Sequence, residues 1–265
     1  MKTVSRLTKL AMLSVAAVGL FASTGQAYVL QGNSWGVGAN VTYSFDYAGG
    51  YTINESGIGG PNTTSTSLDT VLAAGYESEI VAAFNTWTAM VDITFSEVAD
   101  NTVSWNVAGA VGEIRIAAHD FDGAGGTLAH AYYPPPNGVS AAGDLHFDKD
   151  EAWYVGPGAP GGGEFDLYSV ALHEIGHSIG IAHSADTNAV MYPFYWYNGP
   201  RALDADDVAA GQAIYGAGSG ATPEPETLLV IGVFLAAAVF VRNSPSGGAG
   251  SGAGARRFDS KAVGA

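Results

Sequence analysis

Five residues in one short stretch have the types and spacing that zinc chemistry needs: His173, Glu174, His177, Gly180 and His183. Two histidines four positions apart lie on one face of a helix, one turn above the other. Two neutral imidazoles at that spacing can bind one zinc ion. Glu174 lies one step round the helix, beside the metal but off the ligand face. That position suits a general base for a metal-bound water.

The third histidine requires that the helix end before it. His183 follows His177 by six positions, which on a continuous helix is about 240° away, on the wrong side. Gly180 can end the helix because glycine tolerates the left-handed conformation of a helix C-cap. The alternative, a helix with unrelated histidines, gives no reason for all five residues to stand at these offsets.

Composition limits the classes of protein to which the chain can belong. Its 265 residues suit one catalytic domain with processed ends, and its 37 glycines and 13% of charged residues predict long loops. A formal net charge of -15 argues against nucleic acid as a partner. The absence of cysteine excludes disulfides and any thiolate ligand to zinc.

Several helices and strands are predicted to position the histidine stretch. Asp166 is a favoured N-cap for the helix that carries it. Apolar spacing predicts a helix over residues 77–90, and residues 203–215 read as a closing helix. Short β-rich runs predict strands at 41–45, 93–98, 113–118 and 129–133.

The other three histidines, His119, His130 and His146, fall on or beside consecutive predicted strands. Neighbouring strands could bring them together. With one carboxylate they would complete a closed, four-coordinate metal site of the structural kind. The alternative is three separate histidines, each satisfied locally.

Oxygen donors cluster around these histidines. Carboxylates and the free carbonyls of a Gly-rich loop on two segments suit Ca²⁺, and the alternative is a set of solvated loop carboxylates. The candidate calcium ligands are Asp122, Gly123, Gly125, Thr127, Asp148 and Glu151.

The N-terminal end, residues 1–27, has the features of a secretory signal peptide. A charged start is followed by an apolar core over residues 10–21, and small residues stand at the cleavage-defining positions Gly25 and Ala27. The alternative is a buried N-terminal helix. Cleavage there would leave a catalytic domain of residues 28–217 outside the cytoplasm.

The C-terminal end divides into three parts. Residues 218–227 form a linker with a Pro-Glu-Pro motif, residues 228–242 are apolar and end in Arg242, and residues 243–265 are Gly/Ala/Ser-rich and predicted to be disordered. As a helix, the run of fourteen apolar or Gly residues would be about 21 Å long, shorter than the roughly 30 Å hydrocarbon core of a bilayer.

This order resembles the bacterial PEP-CTERM sorting signal. The resemblance implies a Gram-negative exporter, a processing enzyme that cleaves near Pro-Glu-Pro, and membrane contact of residues 228–242 that is at least transient. It implies that the protein is extracellular or associated with the cell surface or outer envelope. The alternative is a plain membrane anchor.

The chain as a whole resembles the matrixin branch of the metzincin metallopeptidases. The resemblance rests on the zinc motif with Ser184 after it, and on residues 121–131 (FDGAGGTLAHA), 146–151 (HFDKDE), 190–193 (VMYP) and 212–216 (QAIYG). It implies an α/β (α+β) fold with a twisted five-stranded mixed sheet, mostly parallel with one antiparallel edge strand. An active-site helix and a C-terminal helix pack on that sheet.

For the site, the resemblance implies a zinc-dependent metalloendopeptidase. The three motif histidines hold the catalytic zinc, Glu174 is the general base, and Met191 forms a hydrophobic floor below the histidines. The substrate is expected to be a protein or peptide lying extended along an edge strand. The residues expected to line its path are Leu128, Ala129, Pro193 and Tyr195.

For the second metal centre, the resemblance implies that His130 and His146 bind a structural zinc and that the six oxygen donors bind calcium. The family pattern there is His-x-Asp, whereas here Asp120 follows His119 directly. His119 is therefore an expected ligand, and Asp120 is the candidate for the fourth.

Two alternatives to an extracellular peptidase with broad substrates remain at this point. One is a non-catalytic, metal-stabilised surface or matrix-binding module. The other is a peptidase that acts only on its own tail or on a co-exported partner. Glu174 favours an enzyme, since a pure binding site has no use for that carboxylate. A monomer is expected.

Overall fold

The computed structural model describes residues 26–55, 63–195 and 200–218, and the backbone of residues 256–261. The strands are β1 (Asn40–Phe45), β2 (Thr52–Ile53), β3 (Thr63–Thr64), β4 (Thr94–Glu97), β5 (Ile114–His119), β6 (Thr127–Tyr132), β7 (Leu145–Asp148), β8 (Trp153–Tyr154), β9 (Phe165–Asp166), β10 (Phe194–Tyr195) and β11 (Arg256–Lys261). The helices are α1 (Leu68–Val71), α2 (Tyr76–Met90), α3 (Leu167–Ser178) and α4 (Ala205–Tyr215).

One large sheet organises the chain, with the strand order β10-β11-β6-β7-β5-β1-β4. From β4 to β7 the strands are parallel, and β6 is antiparallel to β7. These five strands confirm the predicted mixed sheet with one antiparallel strand.

The sheet differs from the prediction beyond β6, which is not an outer edge. Residues 256–261, predicted to be disordered with the rest of 243–265, form β11 and pair with β6, and β10 pairs with β11 in turn. An edge strand presents a row of unpaired N–H and C=O groups, which an added strand satisfies.

The core lies between this sheet and the helices α2 and α3. The predicted apolar face of α2 is buried, and Trp87 on it is fully buried with its Nε1–H donating to the carbonyl of Leu172 at 2.9 Å. One turn earlier on the same buried face of α2, Phe84 stacks on Tyr43 of β1 with ring centroids 4.6 Å apart. The position of α3 is therefore fixed from one side by α2.

Helix α3 begins where the sequence predicts. The side chain of Asp166 accepts a hydrogen bond from the backbone N–H of Ser169 at 2.8 Å and caps the helix. Every residue of α3 except Tyr168 is buried, as expected for a helix that packs in the centre of the molecule.

The predicted leader and sorting segments fall almost wholly outside the described residues, which begin at residue 26 and omit 219–255. Within the described ranges, no helix combines the length and apolar character needed to cross a bilayer.

Candidate metal centres and active site

The two histidines of α3 are oriented by backbone carbonyls. Nδ1 of His173 lies 2.6 Å from the carbonyl oxygen of Val190, and Nδ1 of His177 lies 2.7 Å from that of Ile181. A carbonyl can only accept, so each Nδ1 must carry the proton and donate. Each Nε2 is then left with its lone pair.

These two Nε2 atoms lie 3.1 Å apart. Burial holds the pKa of His173 well below its usual value and lowers that of His177 to about 3, so both rings are neutral at pH 7. Two lone pairs at this distance repel each other unless a cation lies between them. A tetrahedral zinc with Zn–N bonds of 2.0–2.1 Å separates its ligand nitrogens by about 3.4 Å, so the spacing fits zinc.

The chain turns back after α3 as the sequence predicts. Gly180 has φ +101°. The N–H of Gly180 donates to the carbonyl of His177 at 2.9 Å, and the N–H of Ile181 donates to the carbonyl of Gly176 at 2.9 Å. These two bonds form a Schellman motif. His183 thereby reaches the other two rings, with centroids 4.8 Å from His177 and 5.3 Å from His173. The three rings form a group that could hold a metal ion.

Glu174 lies on α3 directly after the first ligand candidate and is fully buried. A carboxylate beside a metal-bound water, in a site from which bulk water is largely excluded, can accept a proton from that water. The sequence predicts this role for Glu174, and the structure places Glu174 in the same helix turn as His173 and His177.

The turn at Met191 is held by a carboxylate that the sequence analysis did not assign to the site. Asp207, in the first turn of α4, accepts hydrogen bonds from the backbone N–H groups of Val190 at 2.7 Å and Met191 at 3.0 Å. The carbonyl of Val190 orients His173, so Asp207 positions His173 indirectly, by fixing the backbone of Val190. The signal for Asp207 in the sequence was an acidic residue in the first turn of the predicted closing helix, shortly after Met191.

Met191 itself is fully buried, and it lies against α3 at Gly176. A methyl group added at Gly176 would overlap the sulfur of Met191 and lie 3.2 Å from the ring of Trp87. Because Gly176 has no side chain, the turn that carries Met191 can approach α3 between His173 and His177.

Gly176→Ala is expected to destabilise the fold by about 1–3 kcal/mol through overpacking, which corresponds to a loss of roughly 2–4 °C in Tm for each kcal/mol in a domain of this size. Thermal unfolding measures it. Gly162→Ala is the matched control, because a methyl group there would meet nothing within 4 Å. Equal Tm values for the two variants would contradict the close packing of Met191.

The other three histidines, His119, His130 and His146, lie together in a second group, as the sequence predicts. Glu55 is the fourth member of this group. Its carboxylate oxygens lie 2.8 Å from His130 Nε2, 2.9 Å from His146 Nδ1 and 3.3 Å from His119 Nε2. All four side chains are buried, and none of these three contacts has the geometry of a hydrogen bond. Atoms that approach closely without being aligned for hydrogen bonding suit ligands directed at a common centre.

The expectation that Asp120 completes this group is corrected by the structure. Successive side chains of a strand point to opposite faces, so the residue after His119 points away from the histidines. Asp120 is exposed and groups instead with Asp148 and Asp150.

The carboxylate of Glu55 arrives from the loop after β2. Its signal in the sequence was that Glu55 is the sole acidic residue between Asp46 and Asp69. Burial alone would raise the pKa of Glu55, but the rings of His130 and His146 hold it well below its usual value. Burial also lowers the pKa of His146 to about 4. An ionised carboxylate with a neutral imidazole is the protonation state that a zinc site needs.

The predicted calcium segments are in contact. Oε1 of Glu151 accepts a hydrogen bond from the N–H of Gly125 at 2.6 Å, which joins the two segments. The carboxylate of Asp122 accepts hydrogen bonds from the N–H and the hydroxyl of Thr127. The acidic group with metal-ligand spacing is centred on Asp148, which is buried with one unpartnered oxygen. The structure thus brings the two predicted segments together but places Asp148 with Asp120 and Asp150.

The strands β6 and β10 flank β11 in the sheet, and the space between them is the predicted path of the substrate, called the groove below. Leu128 and Ala129, predicted to line the substrate path, are buried on β6. The next residue after β6, Tyr133, packs its ring against His177 with centroids 5.6 Å apart. On the other side, the hydroxyl of Tyr195 accepts a hydrogen bond from the N–H of Asp166 at 2.8 Å, which ties β10 to the start of α3.

Comparison with known proteins agrees with this geometry. A family model described as Matrixin matches residues 63–216. Karilysin from Tannerella forsythia is 36% identical over 194 residues, covering 71% of this chain and 34% of the relative. Interstitial collagenase from Bos taurus is 40% identical over 143 residues, covering 54% of this chain and 29% of the relative.

Stromelysin-2 from Rattus norvegicus is 38% identical over 164 residues, covering 57% of this chain and 33% of the relative. The chain therefore spans about a third of the length of these relatives. Glu55 lies before the matched range, whereas both histidine groups lie within it. The match covers more than half of the sequence, and the chain belongs to the matrixin family, whose members are zinc-dependent metalloendopeptidases that bind zinc and calcium.

Proposed function

We propose that this chain is an exported zinc-dependent metalloendopeptidase. One observation carries the proposal: two neutral, buried imidazoles present their Nε2 lone pairs to each other 3.1 Å apart, with a third histidine and a glutamate beside them. This arrangement is electrostatically unfavourable unless a cation binds between the two nitrogens. Membership in the matrixin family supports zinc as that cation.

In the proposed reaction, His173, His177 and His183 would hold the zinc. A zinc ion held there would supply a Lewis acid that makes a water molecule easier to deprotonate. Glu174 accepts the proton of the attacking water and then delivers it to the leaving amine nitrogen. The carbonyls of Val190 and Ile181 keep the rings of His173 and His177 in the tautomer that leaves Nε2 for the metal.

The substrate is proposed to lie extended in the groove between β6 and β10. A peptide there pairs with β6 through backbone atoms, near Leu128 and Ala129. Pro193 and Tyr195 would line the pocket for the residue after the scissile bond.

The group of Glu55, His119, His130 and His146 is proposed to bind a structural zinc. Four protein ligands leave no position for water, which is typical of structural rather than catalytic zinc. For calcium, the loop of residues 122–127 and the segment 148–151 supply oxygen donors, with Asp148 as the buried member.

Export is proposed from the signal-peptide features of residues 1–27 and from the sorting features of residues 223–242. Intact mass of the protein recovered from its native host tests both. An N-terminus at Tyr28 and a C-terminus near Pro225 would support signal cleavage and sorting. A full tail in the membrane fraction would support the plain anchor instead.

The full-length chain, supplied with zinc and calcium, is expected to cleave casein or gelatin, and Glu174→Ala is expected not to. Fragments resolved by electrophoresis and mass spectrometry are the measurement. A non-catalytic matrix-binding module would retain these proteins without producing fragments. Cleavage by both chains to the same extent would contradict Glu174 as the general base.

Acid is expected to destabilise the metal-free chain as pH falls below about 6.5, the ordinary pKa of histidine. The folded-state pKa of His146 is lowered to about 4, so the unfolded chain binds more protons than the folded chain between these values. Stability is therefore fully present above pH 6.5 and is lost as pH falls toward 4. Thermal unfolding of the EDTA-treated chain measures it.

His146→Gln is the control for this pH dependence, because glutamine does not titrate. Its Tm should fall less steeply than that of the wild type over the same pH range. Parallel curves for the two chains would contradict a neutral, buried His146.

A further inference from the structure

We propose that the strand β11 occupies the substrate groove and holds the enzyme in a self-inhibited state. The inference rests on the proposed peptidase function, because it names the occupant of the same groove. It is carried by backbone pairing on both sides of β11, by the position of that strand relative to the zinc helix, and by charge.

The pairing places β11 between the two walls of the groove. On one side it runs parallel to β6, with Arg257 opposite Thr127 and, after a shift in register, Asp259 opposite His130 and Lys261 opposite Tyr132. On the other side it runs antiparallel to β10, with Arg257 opposite Phe194. The edge of β6 along which an extended peptide would lie is thus already paired with the chain itself, at Thr127 and from His130 to Tyr132.

Both walls are attached to the zinc helix. The residue after β6 packs on His177, and β10 is tied to the N-terminus of α3 through the hydroxyl of Tyr195. A peptide lying between β6 and β10 therefore passes beside the proposed catalytic centre. Because one edge of a strand can pair with only one partner at a time, β11 and an extended substrate exclude each other.

Charge favours this occupant. Residues 256–261 contain three basic residues and one acidic residue, a formal charge of +2. Residues 26–218 contain 22 acidic and three basic residues, a formal charge of −19. Opposite charges of this size attract the strand to the domain, and the attraction weakens with salt.

The connection is long enough for pairing within one chain. Residues 219–255 connect residue 218 to β11 and number 37. A chain of this length spans up to about 120 Å when fully extended. A tethered segment of this kind has an effective concentration on the order of 1 mM. Even if the free hexapeptide bound with a Kd of about 0.1 mM, the tether would give roughly ten-fold inhibition.

The first test is kinetic and uses the full chain. Phe258→Pro together with Asp259→Pro removes two successive N–H donors, which face opposite edges of the strand. We expect kcat/KM on a fluorogenic peptide to rise about ten-fold. The matched control, Gly252→Pro with Ala253→Pro, places the same two prolines before the strand and should leave kcat/KM at the wild-type value. Equal kcat/KM for all three chains would overturn the inference.

The second test does not depend on catalysis. A fluorescein-labelled peptide with the sequence of residues 255–262, ARRFDSKA, is titrated into chains that carry Glu174→Ala. We expect it to bind the chain with the Phe258→Pro and Asp259→Pro changes about ten-fold more tightly than the chain with an intact tail. A scrambled peptide should bind more weakly than ARRFDSKA. Equal binding of ARRFDSKA to both chains would overturn the inference.

The two proposals fail in different ways. Differential peptide binding with no cleavage by any variant would refute the peptidase and leave the groove assignment standing. Cleavage by every variant at the same rate would refute self-inhibition and leave the peptidase standing. Mass spectrometry that finds the wild-type chain cut within residues 256–261 would identify β11 as a substrate, which also overturns the inhibitory role.

Discussion

Glu174→Gln is expected to lower kcat/KM by about 10³-fold while zinc stays bound at the catalytic centre. Glutamine keeps the shape of the side chain but cannot accept a proton, and general acid–base catalysis contributes on the order of 10²–10⁴-fold. The three histidines that hold the metal are unchanged. The effect should therefore appear in kcat, measured on a fluorogenic peptide, and not in the zinc content measured by atomic emission.

The matched control for this substitution is Glu97→Gln, which makes the same chemical change at an exposed position on β4, at the far edge of the sheet. Its kcat/KM should equal that of the wild type. If Glu174→Gln retained wild-type kcat, the proton acceptor would have to be another group. If it lost zinc as well as activity, its role would be structural.

Glu55→Ala is expected to remove one of two zinc ions per chain and to destabilise the fold by about 3–5 kcal/mol, the usual cost of removing one partner from a buried charged group. Three buried histidines would be left without the carboxylate that they surround. Zinc content and chemical unfolding measure the two effects. The catalytic zinc, held by a separate set of histidines, should remain.

Asp120→Ala is the control that separates the two candidates for the fourth ligand. Its carboxylate is exposed and lies with Asp148 and Asp150, so both zinc ions should be retained. The reverse result, in which Asp120→Ala loses a zinc ion and Glu55→Ala keeps both, would contradict the arrangement in the structure and restore the His-Asp pair as ligands.

The comparison between these two carboxylates shows what a sequence can predict about a metal centre. The zinc helix was predicted in detail because all of its candidate ligands lie within eleven residues, from His173 to His183, where helix geometry and one glycine determine their positions. The grouping of His119, His130 and His146 could be anticipated because they lie on neighbouring strands.

Glu55 could not be predicted in the same way. It is 64 residues before His119, in a loop with no periodic pattern, and its approach depends on how that loop folds over the sheet. Asp120 was favoured because the family pattern places an aspartate shortly after the first histidine, although the alternation of side chains along a strand turns it away. Asp207 was missed for a related reason, since its contacts to Val190 and Met191 are tertiary.

The fold was predicted correctly at the level of its five-stranded mixed sheet, and less well at the end of the chain. Composition dominated the prediction for residues 243–265, which are rich in Gly, Ala and Ser. The segment 256–261 forms a strand because it pairs with the edge of β6. No local pattern within the segment predicts that pairing.

Zinc reconstitution of the metal-free full-length chain shows whether proteolysis depends on zinc at the three histidines of the motif. The wild type and the chain with Phe258→Pro and Asp259→Pro are stripped of metal, supplied with calcium, and titrated with zinc while casein cleavage and bound zinc are followed together. Cleavage should appear as the site of His173, His177 and His183 fills, and His177→Ala should abolish it. If both chains bind zinc to saturation and neither cleaves casein, the peptidase assignment is contradicted.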